Sequence, residues 1–408
     1  SGGDDIPLDP ATILSDWSTP ECKALLERAL FGLASYGRVR FHHRSVVEYL
    51  AAERIKILLT RGMTTKALKR LLFVETKEKT IVRPSKRPIA GWLALTENMI
   101  FEMLRDHEPA VLLTEGDPES LLLSQRTQAL CSYVERYSKG GWRGLSVPHI
   151  QIHRFASPEL STEIKRLWVQ GIQNPEVREI LLNLIEVGRI TECLDIAHTV
   201  ALDIRASHSE RLAAIEALAM SDDSRLNIIT SGIAGNVKLW PDDLARGVML
   251  KLFPRHLTVA CLCQILKRLE VQKRVIGGLN WQFPRLVAGS DLDVPTLEAL
   301  RDGLSDLVST GLKWQDKWPH VISNRSDLCC ALAATCVRGF NTGPAVDWLR
   351  ASALALRLHH RDDGSDEAYP QLRKLLAELP AGRNAQLFWA EDALIQSIHP
   401  TANARDRY

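Results

Sequence analysis

Residues 175–185, Pro-Glu-Val-Arg-Glu-Ile-Leu-Leu-Asn-Leu-Ile, decide the fold that we predict, because their pattern returns further along the chain. Residues 209–218, Ser-Glu-Arg-Leu-Ala-Ala-Ile-Glu-Ala-Leu, match them when Arg178 is laid on Arg211, at an offset of 33 residues. Apolar positions in both segments recur at the spacing of one helix face. A helical unit that returns at such a period predicts an array of stacked helix pairs.

The theme continues on the C-terminal side. Residues 241–253 place Arg246 at the position of Arg211, 35 residues on. A helix pair with an arginine early in one helix resembles HEAT-type repeats. Residues 277–295 contain three glycines and two prolines, and we expect an insertion loop there. Helical patterns resume at 295–309, 325–338, 344–359, 366–379 and 383–398. The predicted class is therefore all-α, with an α-solenoid of HEAT-like helix pairs.

The amino-acid composition indicates the class of protein and its cellular compartment. The 408 residues are 45% apolar and 25% charged, as in globular proteins, and their net charge of +2 gives no general attraction to nucleic acid or membranes. No run of 18 apolar residues occurs, so no membrane span is expected. The eight cysteines lie mostly in apolar helical patterns without paired C-x2-C spacing. They indicate reduced thiols and a cytoplasmic protein, and give no reason to expect a metal.

Residues 61–90 are locally basic. Nine lysines and arginines face only two glutamates there, an excess of seven positive charges. One interpretation is the solvated face of a linker; the other is a patch for an anion such as a nucleotide phosphate or nucleic acid. In many proteins that bind single-stranded nucleic acid, aromatic residues alternate with the positive charges. No aromatic residues alternate with the charges of residues 61–90. The candidate partner-binding residues here are Lys66, Lys69, Arg70, Arg83, Lys86 and Arg87.

The N-terminal part predicts a helix, a strand and a second helix. Ser18 or Thr19 can cap the first helix, whose apolar positions run on to Leu33. Residues 38–41, Arg-Val-Arg-Phe, alternate as one short strand with the valine and the phenylalanine pointing inward. Ser45 then caps the second helix, with Glu48 completing a capping box.

Residues 38–52 read Arg-Val-Arg-Phe-His-His-Arg-Ser-Val-Val-Glu-Tyr-Leu-Ala-Ala. This stretch resembles the F-x-H-x-S-x-x-E-[YF]-[LF]-A-A signature near the end of the winged-helix segment of NACHT-type STAND NTPases. These are signal-transducing ATPases that include animal NOD-like receptors and many bacterial defence proteins. The phrase from Arg83 to Asp117 extends the resemblance to about the first 125 residues. Val47 departs from the glutamine common in the family, and the ATPase core is missing here.

The resemblance implies a partial winged helix followed by helical repeats. We divide the chain into a winged-helix tail (4–60), a helical connector domain (61–158), HEAT-like repeats (159–276), and an insertion loop with further helical repeats (277–408). His43 falls on the family's histidine, which lies near the nucleotide phosphates and reports the closed, ADP-bound state. The alternative is that His42 and His43 only straddle a strand-to-helix turn.

For function, the resemblance implies the regulatory and sensor portion of a bacterial signalling ATPase in defence. The N-terminal piece would latch the ATPase, and the helical array would recognise a trigger, expected to be a protein. Recognition would release the ATPase to oligomerise. The full-length protein would bind ADP or ATP, whereas this segment needs no cofactor.

Three alternatives stay open. This segment has no P-loop and no other local catalytic motif, so we predict no enzyme activity for it. It could instead be a free-standing interaction scaffold, a nucleic-acid binder that uses residues 61–90, or an unrecognised helical hydrolase.

Trp314 and Trp318 lie four residues apart and would share a helical face. That face is either repeat packing or a partner-binding ridge.

Overall fold

The structure is a computed structural model, and it describes residues 13–28, 30–33, 39–76, 79–271, 278–315, 320–343, 345–358 and 367–401. These residues are mostly helical, which confirms the predicted all-α class. The few strands form three separate two-stranded hairpins. The chain divides into two compact units between Val200 and Ala201. No helix in the described ranges is both long and apolar enough to cross a membrane.

The first unit consists of short helices and two hairpins. Its helices are α1 (Thr19–Leu26), α2 (Arg44–Thr60), α3 (Thr65–Leu72), α4 (Arg87–Ala94), α5 (Asn98–His107), α6 (Ala110–Thr114), α7 (Leu123–Tyr137), α8 (His149–Phe155), α9 (Ser161–Val169) and α10 (Pro175–Val187). Helix α11 (Leu194–Leu202) crosses the division between the units. The strands are β1 (Phe31–Leu33), β2 (Val39–Phe41), β3 (Phe73–Glu75) and β4 (Thr80–Val82).

The N-terminal residues correct two predictions. Ser18 caps α1 as expected, and its backbone N–H donates to Glu21 Oε2 at 2.9 Å. The helix ends at Leu26, however, and β1 pairs antiparallel with β2. The rings of Phe31 and Phe41 lie 5.0 Å apart across this hairpin. Cross-strand pairing and ring packing therefore outweigh the helical spacing of the leucines.

The second helix also begins earlier than predicted. His43 is the N-cap residue of α2, so Ser45 lies inside the first turn and does not cap it. Glu48 accepts a hydrogen bond from Arg44 Nε at 2.8 Å instead of completing a capping box. A side-chain pair at i and i+4 on the helix surface replaces the expected cap.

The described residues of the basic segment, 61–76 and 79–90, form helices and a hairpin and not an extended linker. Helix α3 buries Leu68 and Leu72, and β3 leads directly from it and pairs with β4. Phe73 and Val82 are buried at the paired end of this hairpin. The apolar residues between the charges therefore give the segment a core of its own, while most of the charges stay on the outside.

The second unit consists mainly of helices that follow one another along the chain. They are α12 (His208–Met220), α13 (Leu226–Ile233), α14 (Asp242–Leu252), α15 (Val259–Arg268), α16 (Leu279–Gly289), α17 (Val294–Ser309), α18 (Cys329–Phe340), α19 (Val346–Leu358), α20 (Ala368–Ala377) and α21 (Ala381–Ile398). Strands β5 (Lys313–Gln315) and β6 (His320–Ile322) form a hairpin between α17 and α18. The expected insertion loop at 277–295 is wrong, because α16 occupies most of it with Pro284 inside the helix.

Helices that are two places apart along the chain contact each other, which gives two rows of helices. One row runs through α12, α14, α16, α18 and α20, and the other through α13, α15, α17, α19 and α21. Helices α10 and α12 begin 33 residues apart and end 33 residues apart, which confirms the offset predicted from the sequence.

Candidate functional site

A cleft of about 1040 Å³ opens in the first unit. Its walls come from β4, from α6, from the C-terminal end of α7 and from residues 143–148. These segments are distant in sequence and meet because α5, α6 and α7 contact one another and α5 contacts β4. The volume is at the upper end of the range for small-molecule sites.

The floor of the cleft is aromatic and apolar, with one polar atom. Tyr133 is 1% exposed, and its hydroxyl has no hydrogen-bond partner among the described residues. The Tyr137 ring lies 4.9 Å from the Tyr133 ring, and the buried side chains of Val82 and Val111 line the same cleft. Burial raises the pKa of Tyr133, so the phenol keeps its proton and can donate it. A buried hydroxyl without a partner is unusual in a native protein.

The rim of the cleft carries an excess of positive charge. Four cations line it, together with the carboxylates of Glu108 and Glu115: Lys79, Arg87, Arg136 and Arg143. Glu108 is engaged, because it receives Arg87 Nη2 at 2.9 Å and the backbone N–H of Val82 at 2.8 Å. Within the described ranges, none of the other three cations has a carboxylate at ion-pair distance.

Glu115 is the second carboxylate of the cleft and is half-buried. Burial raises the pKa of Glu115, and the nearby charge of Glu48 raises it further. Arg87 and Arg44 act in the opposite direction. Part of the negative charge in the cleft is therefore easier to neutralise than that of an ordinary glutamate.

The loop on one side of the cleft is held in place by the start of α10. The backbone N–H groups of Gln173 and Asn174 both donate to the Ser138 carbonyl at 2.9 Å. The buried Glu176 carboxylate accepts the backbone N–H groups of Arg143 and Leu145. These contacts fix the backbone of Arg143 and Leu145, which line the cleft. Pro148 is the N-cap residue of α8, and this short helix carries both His149 and His153.

Two glycines allow two backbone segments to approach each other closely beside the cleft. Gly116 has φ = +68°, and a Cβ there would lie 2.7 Å from the carbonyl carbon of Gly91 in α4. The chain after α6 therefore lies directly against α4, next to Glu115. Both glycines belong to the segment from Arg83 to Asp117, and this close backbone approach gives them a packing role.

The structure places His43 at the N-terminus of α2. Its side chain is exposed, and its ring lies 5.6 Å from that of His42. His43 does not line the cleft. The interpretation as a nucleotide sensor and the interpretation as a turn residue both remain predictions.

The predicted basic patch separates into two parts. Lys66 and Arg70 are exposed one turn apart on α3, and Arg83 Nε donates to the Arg70 carbonyl at 3.3 Å. Lys69 and Lys86 are half-buried. Arg87 faces the cleft, together with Lys79 of the same basic segment. The single patch predicted from the linear sequence is thus a small surface cluster on α3 and half of the cleft's rim.

The tryptophan prediction is wrong in its geometry. Trp314 lies in β5 and is half-buried, and its ring stacks on His399 at 5.1 Å and 14°. Trp318 lies outside the described residues. A shared helical face is excluded because Trp314 is in a strand.

The residues that give the cleft its buried hydroxyl and two of its cations could not be picked out from the sequence. Tyr133, Arg136 and Arg143 carry no local signal, because an aromatic residue and two arginines near a helix end are common. Only the basic excess at 61–90 pointed toward this region.

No three His, Cys, Asp or Glu side chains of the described part come together as a metal site. No family model, no curated protein and no solved structure matches this chain.

Proposed function

We propose that this chain is the regulatory and sensor portion of a bacterial NACHT-type STAND ATPase, acting in the cytoplasm in defence. The observation that carries the proposal is an exposed apolar face on α2, the helix that bears the resembling stretch. Such a face is expected where a preceding ATPase module covers it.

Helix α2 is apolar on two sides. Ala52 and Ile55 are buried, and α2 packs against α4. Val47, Leu50 and Ile57 are 45%, 44% and 43% exposed. The spacing of three and seven residues places these three on one helix face, which they share with the exposed Arg54. A helix that is apolar on both sides normally has partners on both.

The proposed occupant of this outer face is the remainder of the winged helix together with the ATPase core. His43 lies at the start of the same helix and is exposed toward solvent. Its imidazole could donate to a phosphate oxygen of a nucleotide bound by that core, and the contact would be lost when the winged helix rotates away.

The two rows of helices in the second unit would be the sensor, as a HEAT-like solenoid. Its last helix, α21, buries only Asp392 and Ile395. Trp389 is 65% exposed on it and Phe388 is 42% exposed. Exposed tryptophan is typical of interface hot spots, so a protein trigger is the proposed partner of this helix. Binding there would bias the latch and allow oligomerisation through the ATPase core.

The first test is the native reading frame, followed by nucleotide retention in the full polypeptide. A P-loop module upstream is expected, and the purified protein should retain ADP through gel filtration. His43→Ala should lower the retained ADP by about tenfold, because a charge-assisted hydrogen bond is lost. His42→Ala is the matched control and should retain ADP. A frame without a P-loop would leave the free-standing scaffold as the better description.

A second test addresses the exposed face of α2 directly. In the full polypeptide, Leu50→Asp should weaken the latch and give oligomers in ATP without any trigger. Ile150→Asp is the control, because Ile150 is 66% exposed in the same unit but far from α2 in sequence. Equal behaviour of the two variants in light scattering would argue against α2 as the covered face.

A further inference from the structure

We propose that the cleft of the first unit binds a phosphate monoester with an aromatic body, of about the size of a nucleoside monophosphate. This site would be separate from any nucleotide site of an upstream ATPase core. The proposal does not rest on the proposed function, because every residue that carries it belongs to the first unit.

The charge of the rim fits a dianion. Four cations and two carboxylates line the cleft, which leaves an excess of two positive charges. A phosphate monoester carries about −1.5 to −2 at neutral pH. Among the described residues, Arg136 makes only a 3.5 Å contact to the Asp106 carbonyl, and Arg143 Nη2 donates to the Lys139 carbonyl at 2.6 Å. Both guanidinium groups therefore keep N–H donors for phosphate oxygens.

The floor fits a ring with a hydrogen-bond acceptor. The tyrosine pair and the two buried valines offer an aromatic and apolar wall to a planar body. The Tyr133 hydroxyl is buried in this wall without a partner, although such groups are normally satisfied. A ligand acceptor at this point would supply the missing hydrogen bond. This orphaned donor is an observation independent of the charges, and it points to the same cleft.

The volume favours a nucleoside over a smaller aromatic phosphate. At about 1040 Å³, the cleft is large for a single ring with one phosphate. A free nucleotide and a phosphorylated tyrosine share the recognised chemistry, and both can be tested with small probes. Adenosine monophosphate stands for the first source and phenyl phosphate for the second.

The experiment is isothermal titration calorimetry of the chain with four probes: adenosine monophosphate, phenyl phosphate, adenosine and inorganic phosphate. We expect saturable binding of adenosine monophosphate, with adenosine at least about tenfold weaker because it lacks the dianion. Phenyl phosphate weaker than adenosine monophosphate would assign a nucleotide; equal or tighter binding would assign a phosphorylated tyrosine. Equal affinity for adenosine and adenosine monophosphate, or no saturation by either phosphate ester at millimolar concentration, would overturn the proposal.

Two variants locate the binding in the cleft. The double variant Arg136→Gln, Arg143→Gln should weaken adenosine monophosphate by about tenfold or more, because two charge-assisted contacts are lost. Tyr133→Phe should weaken it by about fivefold while leaving the fold intact, because the hydroxyl has no partner among the described residues. Arg61→Gln, at an exposed arginine outside the cleft, is the control. Binding that all three variants leave unchanged would place the ligand elsewhere and overturn the proposal.

Discussion

Arginines serve opposite purposes in the two units of this chain. In the second unit, Arg211 is 2% exposed and Arg301 is 7% exposed, and each lies over a buried tryptophan. In the first unit, Arg136 and Arg143 are exposed at the rim of a cleft. A buried arginine that has an aromatic partner holds helices together. An exposed guanidinium keeps N–H groups that solvent can reach.

The buried pairs join segments that are far apart in the sequence. The guanidinium carbon of Arg211 lies 4.7 Å from the Trp240 ring centroid, and Arg211 Nε donates to the Ala201 carbonyl at 2.9 Å. The same distance between Arg301 and Trp348 is 4.6 Å. Both tryptophans are 1% exposed. These contacts cross from one helix pair to the next, so they belong to the packing of the array.

The largest expected effect is at Trp348. Trp348→Ala should lower the free energy of unfolding by about 3–5 kcal/mol, because it leaves a cavity below Gly339 and removes the partner of Arg301. Urea denaturation followed by circular dichroism measures this change. Trp142→Ala is the control, since Trp142 is 77% exposed and its loss should change stability by about 0.5 kcal/mol or less. Similar losses in both variants would contradict a packing role specific to Trp348.

Arginine replacement compares the two units directly. Arg211→Ala should destabilise the chain by about 2 kcal/mol, because packing on Trp240 and the bond to Ala201 are both lost. Arg136→Ala should leave the free energy of unfolding within about 0.5 kcal/mol of the original. Arg211→Met separates the contribution of apolar packing from that of the charge, because it keeps the apolar contact and removes the cation. A larger loss at Arg136 than at Arg211 in urea melts would reverse the comparison.

The base of the cleft depends on a glycine that no other residue can replace without strain. Gly116→Ala should cost about 1–3 kcal/mol, because the new Cβ would overlap the Gly91 backbone at a positive φ. Gly62→Ala is the matched control: it also has a positive φ, +99°, but nothing lies within 4 Å of a Cβ there. It should cost about 1 kcal/mol. Thermal melts that rank the two variants equally would show that backbone strain alone decides the cost.

The smallest expected effect is the pH dependence that comes from Glu115. Because burial raises the pKa of Glu115 in the folded state, the stability that this group contributes is full below the unfolded value, near pH 4.3, and is lost as pH rises through the folded pKa. Glu115→Gln should therefore raise the free energy of unfolding at pH 7 by less than about 1 kcal/mol. It should have little effect near pH 4. Urea denaturation at both pH values checks the sign, and a loss of stability at pH 7 would contradict it.

Many of the helices could be predicted because their signals are local. Helices α17 to α21 and the pair α10 and α12 follow from apolar spacing within single segments. The first hairpin was missed because Leu30 and Leu33 also fit a helical spacing, and only the pairing of Phe31–Leu33 with β2 decides against a helix there.

The sequence by itself determined the helical class, the repeat offset and a local excess of positive charge, because each depends on neighbours within a few turns of chain. Only the tertiary structure decided which charges face one another. It placed Arg87, Arg136 and Arg143 along one cleft with Tyr133, and it left Lys66 and Arg70 exposed and outside that cleft. Such a cleft depends on long-range packing between α5, α6, α7 and β4, and no local pattern encodes the distance between side chains that meet in that way.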